Sequence, residues 1–439
     1  ILPVLFLLRL LFLLKLLFLV LSNDSLRLAL NFSEFSELIL LLFEYIESDA
    51  ITHSLDMFTS AKQHFLQRFE EVILMPRGLD YKVMFTGPTG TNSAEAALKL
   101  ARKVTGRKTV ICFTRGYHGH TLGALAVTPN PTYQKAAGIP LGNVLTVPFE
   151  SKTGAKDTSL DDLEKLLDDV SLEEKPAAVI LETVQSEGGI NVASVPWLKR
   201  LAQITQEREI LLIVDDIKVG CGRTGPFFSF ERAGIKPDLV CLAKSLSAYG
   251  NPMAVVLIRR DLDCWKPGEH SGTFRGNNLA FVTATAALDE YWETDAFAKE
   301  IAEKGEVMKK RLQEIIADYP EIGGEHRGLG LIQGIACKTP GLAKKVSNEA
   351  FKRGLIFEPM GVNKEVINLQ STLTIDFDTL IMGLDIWIKV SPLLSPTNSN
   401  RLLLKFLSTL CHEIPRGKSQ LLELELPYLH QLLVRHKPA

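Results

Sequence analysis

Cysteine is scarce and scattered: six residues in 439, at positions 112, 221, 241, 264, 337 and 411, with no C-x-x-C pair and no zinc-ligand spacing. Neither a disulfide framework nor a structural metal site is to be read from such a pattern. Most of these cysteines stand in apolar runs, where a thiol behaves as a small hydrophobe. A reducing, cytoplasmic setting is therefore expected. Charge of one sign is lacking as well. The 49 Lys and Arg nearly balance the 51 Asp and Glu, for a formal net charge of −2. No basic field points to nucleic acid and no acidic block to a solvating tail. Internal repeats are absent. With 46% hydrophobic and 23% charged residues, the chain has the make-up of a globular protein able to bury a sizeable core. Its length calls for two or three domains, or one large α/β unit with appendages.

Unbroken apolar stretches of membrane length are lacking but for one. "ILPVLFLLRLLFLLKLLFLVLS" opens the chain and carries Arg9 and Lys15 inside it. A membrane helix needs about 20 apolar residues, but each internal cation is costly at the bilayer centre. A signal peptide would place its cations before the apolar stretch. We expect a stray N-terminal stretch rather than an anchor, with membrane anchoring through residues 1–22 as the alternative.

What the chain does have is alternation. Strand-length apolar runs begin at Thr109 ("TVICFT"), Asn143 ("NVLTVP"), Ala177 ("AAVILE"), Ile210 ("ILLIVDD"), Asp238 ("DLVCLAK") and Met253 ("MAVVLI"). They are continuous rather than alternating, as strands covered on both faces are. Helical stretches separate them: "SAEAALKLARKVTG" from Ser93, stopped by Gly106; "SLDDLEKLLDDV" from Ser159; and "VPWLKRLAQITQERE" from Val195, with Pro196 in its first turn. Alternating strands and helices predict a mostly parallel sheet with helices on both faces. A long helix is expected from about Leu279 to Ala317, then a glycine-bordered strand in "GGEHRGLGLIQGIAC", a helix from Gly341 to Arg353, and "GLIFEP". After Val390, "SPLLSPTNSN" reads as a linker, and the leucine-rich last forty residues show no motif.

Five stretches carry chemistry, each with a plainer alternative. "TGPTGTNSAEAALKLAR" puts Gly87, Gly90 and Thr91 in a small-residue turn feeding a helix. Such a turn can close on a phosphate, or can simply be a βα loop that needs glycine to bend. "RGYHGHTLGAL" brackets Tyr117 and His118 with glycines at a strand end. There an aromatic ring can stack on a flat ligand, or the pair can be an ordinary half-buried one. "LLIVDDIKVGCGRTG" ends a very apolar strand in Asp215 and Asp216, where open α/β sheets bind ligands; a helix cap or an ion pair with Arg223 is the alternative. "DLVCLAKSLSAYGNP" delivers Lys244 from an apolar run. An amine in an apolar pocket has a lowered pKa and forms Schiff bases, whereas a lysine at a strand end more often snorkels to water. "KPGEHSGTFRGNN" holds Thr273 and Gly276 in a polar turn before a helix, either a second phosphate contact or a connecting loop.

In this order, with the "DD" pair, "GCGRTG" and a lysine 29 residues after Asp215, the stretches closely resemble the class III aminotransferases. "GLDYKVMFTGPTGTNSAEAALKLARKVTGR", "ETVQSEGGIN", "DDIKVGCGRTGPFFSFERAGIKPD" and "KPGEHSGTFRGNN" resemble the branch of that class acting on diaminobutyrate. The resemblance runs from about Asp49 to about Ile388. It implies the pyridoxal-phosphate-dependent transferase fold of type I: an α/β large domain (46–295) with a mostly parallel sheet covered by helices, and a smaller α+β C-terminal domain (296–390). Residues 1–45 and 391–439 fall outside it as an atypical hydrophobic segment and an atypical tail.

The cofactor implied is pyridoxal 5'-phosphate, and the partners implied are small amino and oxo acids and a second copy of the chain in a homodimer with shared active sites. By the same resemblance Lys244 would hold the cofactor as a Schiff base and move the proton. Asp215 would pair with the pyridinium nitrogen, Tyr117 stack on the ring with His118 beside it, and Gly90 and Thr91 bind the phosphate. Thr273 would reach a neighbouring subunit's phosphate, and Glu187 would stand near the substrate. The implied reaction moves an amino group between L-2,4-diaminobutyrate with 2-oxoglutarate and L-aspartate 4-semialdehyde with L-glutamate. Another ω-aminotransferase of ornithine or 4-aminobutyrate type, or a degraded and catalytically weak homologue, is the alternative.

Three departures bear on that alternative. Lys218 replaces a glutamine that contacts the cofactor's phenolic oxygen, and a cation there is expected to favour the phenolate or to pair with Asp215 or Asp216. The family's N-terminal segment is not recognisable before about residue 45. "EVINLQSTLTI" places Asn368, Ser371 and Thr372 where a basic residue and paired prolines are usual.

Overall fold

The computed structural model describes residues 32–53, 57–151, 157–171 and 173–390. The apolar run at 1–22 and the tail from 391 lie outside the described residues. Among the described residues no helix is long and apolar enough to cross a membrane.

The strand-length runs meet in one seven-stranded sheet. Its members are β1 (Tyr81–Phe85), β2 (Val110–Phe113), β3 (Val144–Val147), β4 (Ala178–Leu181), β7 (Leu211–Asp215), β8 (Leu239–Leu242) and β9 (Val255–Arg259), in the order β1-β9-β8-β7-β4-β2-β3. A separate short hairpin, β5 (Val184–Gln185) with β6 (Asn191–Val192), follows β4. The strands from β3 to β8 pair in parallel, whereas β9 runs antiparallel to both its neighbours. Between β8 and β9 the only helix-like element is a single 3-10 turn, Lys244–Ser247. With no helix there to carry the chain back over the sheet, the next strand returns antiparallel.

The continuous apolar runs are explained by the two faces of this sheet. β7 sends Leu212 and Val214 into one core, with Phe113, Trp197 and Leu242. It sends Leu211 and Ile213 into another, with Ala97, Leu100 and Cys241. Successive side chains leave a strand on opposite faces, so a strand buried on both has no polar alternation to display. Helix α1 (Phe32–Glu47) packs on the later helix α8 (Asn278–Tyr291), as does α2 (Ser60–Phe69). The remaining helices up to there are α3 (Gly90–Thr105), the short α4 (Leu122–Ala126) and α5 (Pro131–Lys135), α6 (Ser159–Asp169) and α7 (Val195–Glu207).

Two expectations need correction. The helix anticipated from Leu279 to Ala317 is two helices, α8 and α9 (Ala296–Asp318). They part at "WETD", where Thr294 Oγ1 accepts from Ala296 N at 3.3 Å; short polar side chains that bond nearby backbone compete with helix continuation. The buried Trp292 fills that break against Phe227 and Phe297, with ring centroids 5.0 and 5.5 Å away. The strand anticipated in "GGEHRGLGLIQGIAC" is a hairpin, β10 (Glu325–Leu329) and β11 (Ile332–Ala336), turning through Gly330 at φ +51°. With β12 (Pro359–Met360) and β13 (Val366–Leu369) these strands form an antiparallel sheet in the order β10-β11-β13-β12. The helices α10 (Leu342–Phe351) and α11 (Phe377–Val390) complete the chain's described part. Four cysteines, at 112, 221, 241 and 337, are buried and Cys264 is exposed.

Candidate active site

The parallel strands end on one edge, and their last residues and following loops assemble the site. β7 ends in Asp215, paired in register with Cys241 of β8. β8 runs into Ala243 and Lys244. Lys244 adopts φ +51°, a left-handed conformation uncommon outside glycine and characteristic of functional positions. A cleft of about 470 Å³ is lined by Pro88, Thr89 and Gly90 on one side and by Ala243, Lys244 and Ser245 on the other. Lys244 is exposed to the water of this open cleft, yet enough protein surrounds it to lower its ammonium pKa. Loss of hydration is the main cause and the Lys218 charge the second; Asp215, Glu182 and Glu187 oppose them.

Gly90 is the first residue of α3, whose preceding Thr89 is in a reciprocal cap with Asn92. A Cβ at Gly90 would lie 2.9 Å from Ile217 Cγ2, so only glycine lets the helix start pass this close to the loop after β7. Thr91 Oγ1 lies 2.7 Å from Thr121 Oγ1. The two loops carrying them touch closely, because a Cβ on Gly119 (φ +132°) would collide with Thr91.

His118 and Asp215 are both buried, and His118 Nδ1 stands 2.7 Å from Asp215 Oδ2. A carboxylate only accepts, so Nδ1 carries the proton in this bond. Ile217 N donates to the other oxygen, Asp215 Oδ1, at 3.1 Å. His118 thus stands beside Asp215 as the group that orients it. Burial by itself would lower the imidazole pKa, but the bond to Asp215 and the charges of Asp215 and Glu182 raise it. Tyr117 is half-buried, with its ring edge-on to His120 at 5.5 Å, and burial followed by the Glu187 charge raises its hydroxyl pKa. Its backbone N–H donates to Glu182 Oε1 at 2.9 Å.

Asp216 is no second Asp215. It is buried and turned to Ser229, whose N donates to Oδ2 at 2.9 Å and whose hydroxyl donates to Oδ1. Burial pushes its carboxyl pKa up to about 7. Nor does Lys218 pair with either aspartate, contrary to expectation. Its Nζ lies 2.9 Å from Glu187 Oε1, because the β5–β6 hairpin brings Glu187 over the loop after β7.

Thr273 is exposed, on the turn between β9 and α8, and is not among the residues lining the Lys244 cleft. Its neighbour Phe274 is 67% exposed. Glu182 is not among the residues expected from the sequence. It is buried at the end of β4, its pKa pushed up to about 7 by burial. The signal was the one that marked Asp215, a carboxylate closing an apolar parallel strand. The sequence offers Arg223 only as an ion-pair partner of the aspartates. It is instead buried, donating from Nη1 to Leu331 O at 3.2 Å and Ser371 O at 2.5 Å. Asn368, in place of a base, is buried on β13, and its Oδ1 has no protein partner.

A sequence model of the class III aminotransferases matches residues 42–390. The chain is a class III aminotransferase. It is 56% identical over 346 residues to the diaminobutyrate–2-oxoglutarate transaminase of Halalkalibacterium halodurans, covering 79% of this chain and 81% of that one. It is 50% identical over 368 residues to the enzyme of the same name from Bordetella parapertussis, covering 83% and 85%. Among solved structures, an S-selective transaminase from Arthrobacter sp. superposes with a TM-score of 0.72 at 19% identity, over 82% of this chain and 85% of that one. The ornithine aminotransferase of Toxoplasma gondii does so with a TM-score of 0.70 at 26% identity, over 80% of each.

The aminotransferase uses pyridoxal 5'-phosphate, and the residues present fit it. A helix start with no room for a side chain at Gly90 suits a phosphate. An amine with a lowered pKa suits an aldehyde, and a buried carboxylate held by two donors suits a protonated ring nitrogen.

Proposed function

We propose that this aminotransferase exchanges amino groups between L-2,4-diaminobutyrate and 2-oxoglutarate, giving L-aspartate 4-semialdehyde and L-glutamate, or the reverse. The substrate pair rests on the relatives' names at 50–56% identity. The chemistry rests on one observation above the others: Lys244 and the Gly90 turn line the same cleft, with Asp215 close enough to act on the Lys244 charge.

When bound, pyridoxal phosphate supplies an electron sink for the carbanion formed at the substrate carbon. Gly90 and Thr91 would hold its phosphate at the α3 N-terminus. Asp215, oriented by His118 and Ile217 N, would keep the ring nitrogen protonated. Tyr117 would lie against the ring. Lys244 Nζ would hold the aldehyde, and as a neutral amine it would move the proton at the substrate carbon. Thr273 and Phe274 are exposed, and we read the active unit as a cytoplasmic homodimer in which Thr273 would reach the second copy's phosphate; four buried cysteines suit a reducing compartment.

Borohydride reduction of the protein with added pyridoxal phosphate, followed by peptide mass mapping, is the test. A label on Lys244 supports the reading, and a label elsewhere or none defeats it. A substrate panel then decides specificity: faster turnover of ornithine or 4-aminobutyrate than of diaminobutyrate would replace the substrates named here.

A further inference from the structure

The loop after β7 carries a cation that the described residues leave without an acid. Arg223 is 7% exposed. Its two bonds, to Leu331 O and Ser371 O, both leave from Nη1 and both end on backbone carbonyls. Nε is buried with no partner, and neither bond uses Nη2. Loss of hydration lowers its pKa only to about 10, so the group stays charged at neutral pH. A buried charge without a counter-charge is a costly state. The side chain lines a cavity of about 230 Å³, walled by Phe227, Leu288, Trp292 and Phe297, with Ala287 of α8 among the lining residues and no Asp or Glu. Ser245 and Ala248 line both this cavity and the Lys244 cleft. The two spaces are therefore neighbours across the turn that follows Lys244.

We propose that this cavity is a carboxylate-binding pocket, in which the unbonded edge of Arg223 receives the carboxylate of a small aliphatic or oxo acid. The pocket stands on its own geometry. That its occupant is the aminotransferase's own 2-oxoglutarate, reaching past Ser245, rests on the function proposed above.

The shape of the guanidinium selects the ligand. Nε–H and Nη2–H lie along one edge of its plane, side by side, in the fork that matches the two oxygens of a carboxylate. Nη1 is spent on fixing the side chain to Leu331 O and Ser371 O, so the fork is held in place before anything binds. The cavity falls below the range of about 300–1,000 Å³ usual for drug-sized ligands, and its occupant is small. With no acid in the lining there is no seat for an ammonium, so a zwitterion would leave one charge unpaired. A phosphate would bring a second charge to a cavity whose lining holds no cation besides Arg223. Aromatic and aliphatic walls suit a short carbon chain.

The test is equilibrium dialysis of radiolabelled butyrate against the full-length protein with pyridoxal phosphate present. One butyrate should bind per chain. Butyramide, of the same shape without the charge, should compete at least about tenfold less well. Replacing Arg223 also unties two carbonyls and risks the fold, so the pocket is blocked from another side. Ala287→Leu puts a larger side chain into the cavity, leaves Arg223 and its two bonds in place, and should abolish binding with an unchanged circular dichroism spectrum. No butyrate binding, equal competition by butyramide, or undiminished binding in Ala287→Leu each overturns the pocket. Steady-state kinetics then identify the acid. Butyrate competitive against 2-oxoglutarate supports the substrate as natural occupant, whereas non-competitive inhibition overturns that assignment and gives the pocket to another acid. Dialysis needs no turnover. A protein that binds butyrate but traps no cofactor on Lys244 would sink the proposed function and leave the pocket standing.

Discussion

His118 Nδ1 and Asp215 Oδ2 meet at 2.7 Å with both side chains buried. This bond turns a strand-end carboxylate into a fixed counter-charge aimed past β7. Without its donor Asp215 would be a buried anion with one backbone N–H, a costly state. His118→Ala should weaken pyridoxal-phosphate binding about tenfold, measured by equilibrium dialysis. It should also lower stability by about 2–3 kcal/mol in urea unfolding. Unchanged affinity would show that Asp215 needs no orientation.

The pH dependence of stability should run downhill from mildly acid to mildly alkaline solution. Burial pushes the Glu182 and Asp216 carboxyls up to about 7, above the ordinary carboxylate range, so between about pH 4 and pH 7 the native state holds protons that the unfolded chain has released. His118 is raised above 6.5 as well. Its contribution is complete below that value and is lost as pH rises through the folded pKa. All three have the same sign, and stability falls where the native state binds more protons. Acids with lowered pKa values, such as the half-buried Asp376 and the exposed Asp261, act the other way only at lower pH. Cofactor-free protein should therefore melt several degrees lower near pH 8 than near pH 6 by calorimetry, and a higher melting point near pH 8 would contradict these assignments.

The adjacent aspartates should separate cleanly. Asp215→Asn removes the counter-charge for the ring nitrogen and should lower turnover by about a hundredfold or more with the fold intact. Asp216→Asn keeps an acceptor for Ser229 and removes a carboxylate that burial disfavours, so turnover should change less than about threefold. Steady-state kinetics of the two variants side by side is the measurement, and equal losses would refute the division of labour.

At Gly90 the close approach to Ile217 is open to a double substitution. Gly90→Ala places a methyl 2.9 Å from Ile217 Cγ2, which pushes the α3 start off the loop after β7. We expect about a tenfold loss of affinity for pyridoxal phosphate. Ile217→Ala removes the obstructing atoms and, combined with Gly90→Ala, should recover much of that loss. A double variant no better than Gly90→Ala would show that the glycine serves backbone freedom rather than space.

Arg223 ties the loop after β7 to the four-stranded sheet through Leu331 O and Ser371 O. It is buried, and loss of hydration lowers its pKa to about 10. Arg223→Ala leaves two carbonyls without their donor and a hole in the seam, and should cost about 3 kcal/mol in urea unfolding. Arg223→Lys, a shorter and more strongly hydrated cation, should recover less than half of it.

Much of this was legible along the chain. The runs at Thr109, Ala177, Ile210 and Asp238 announce doubly covered strands because both faces of β2, β4, β7 and β8 pack into cores, and that burial is written residue by residue. Lys244, Asp215 and the Gly90 turn could be picked out because strand ends and helix starts are local features with local composition. The break at "WETD" and the hairpin through Gly330 were not legible, since each depends on what packs beside it: Phe227 and Phe297 around Trp292 in one case, and β13 beside β11 in the other. The pairing of Lys218 lay furthest from view. Asp215 and Asp216 are its near neighbours in sequence, whereas Glu187 is 31 residues away. An ammonium goes to whichever carboxylate the fold leaves unsatisfied. His118, Ile217 N and Ser229 claim the near ones, and only the crossing of a hairpin over a loop supplies the other.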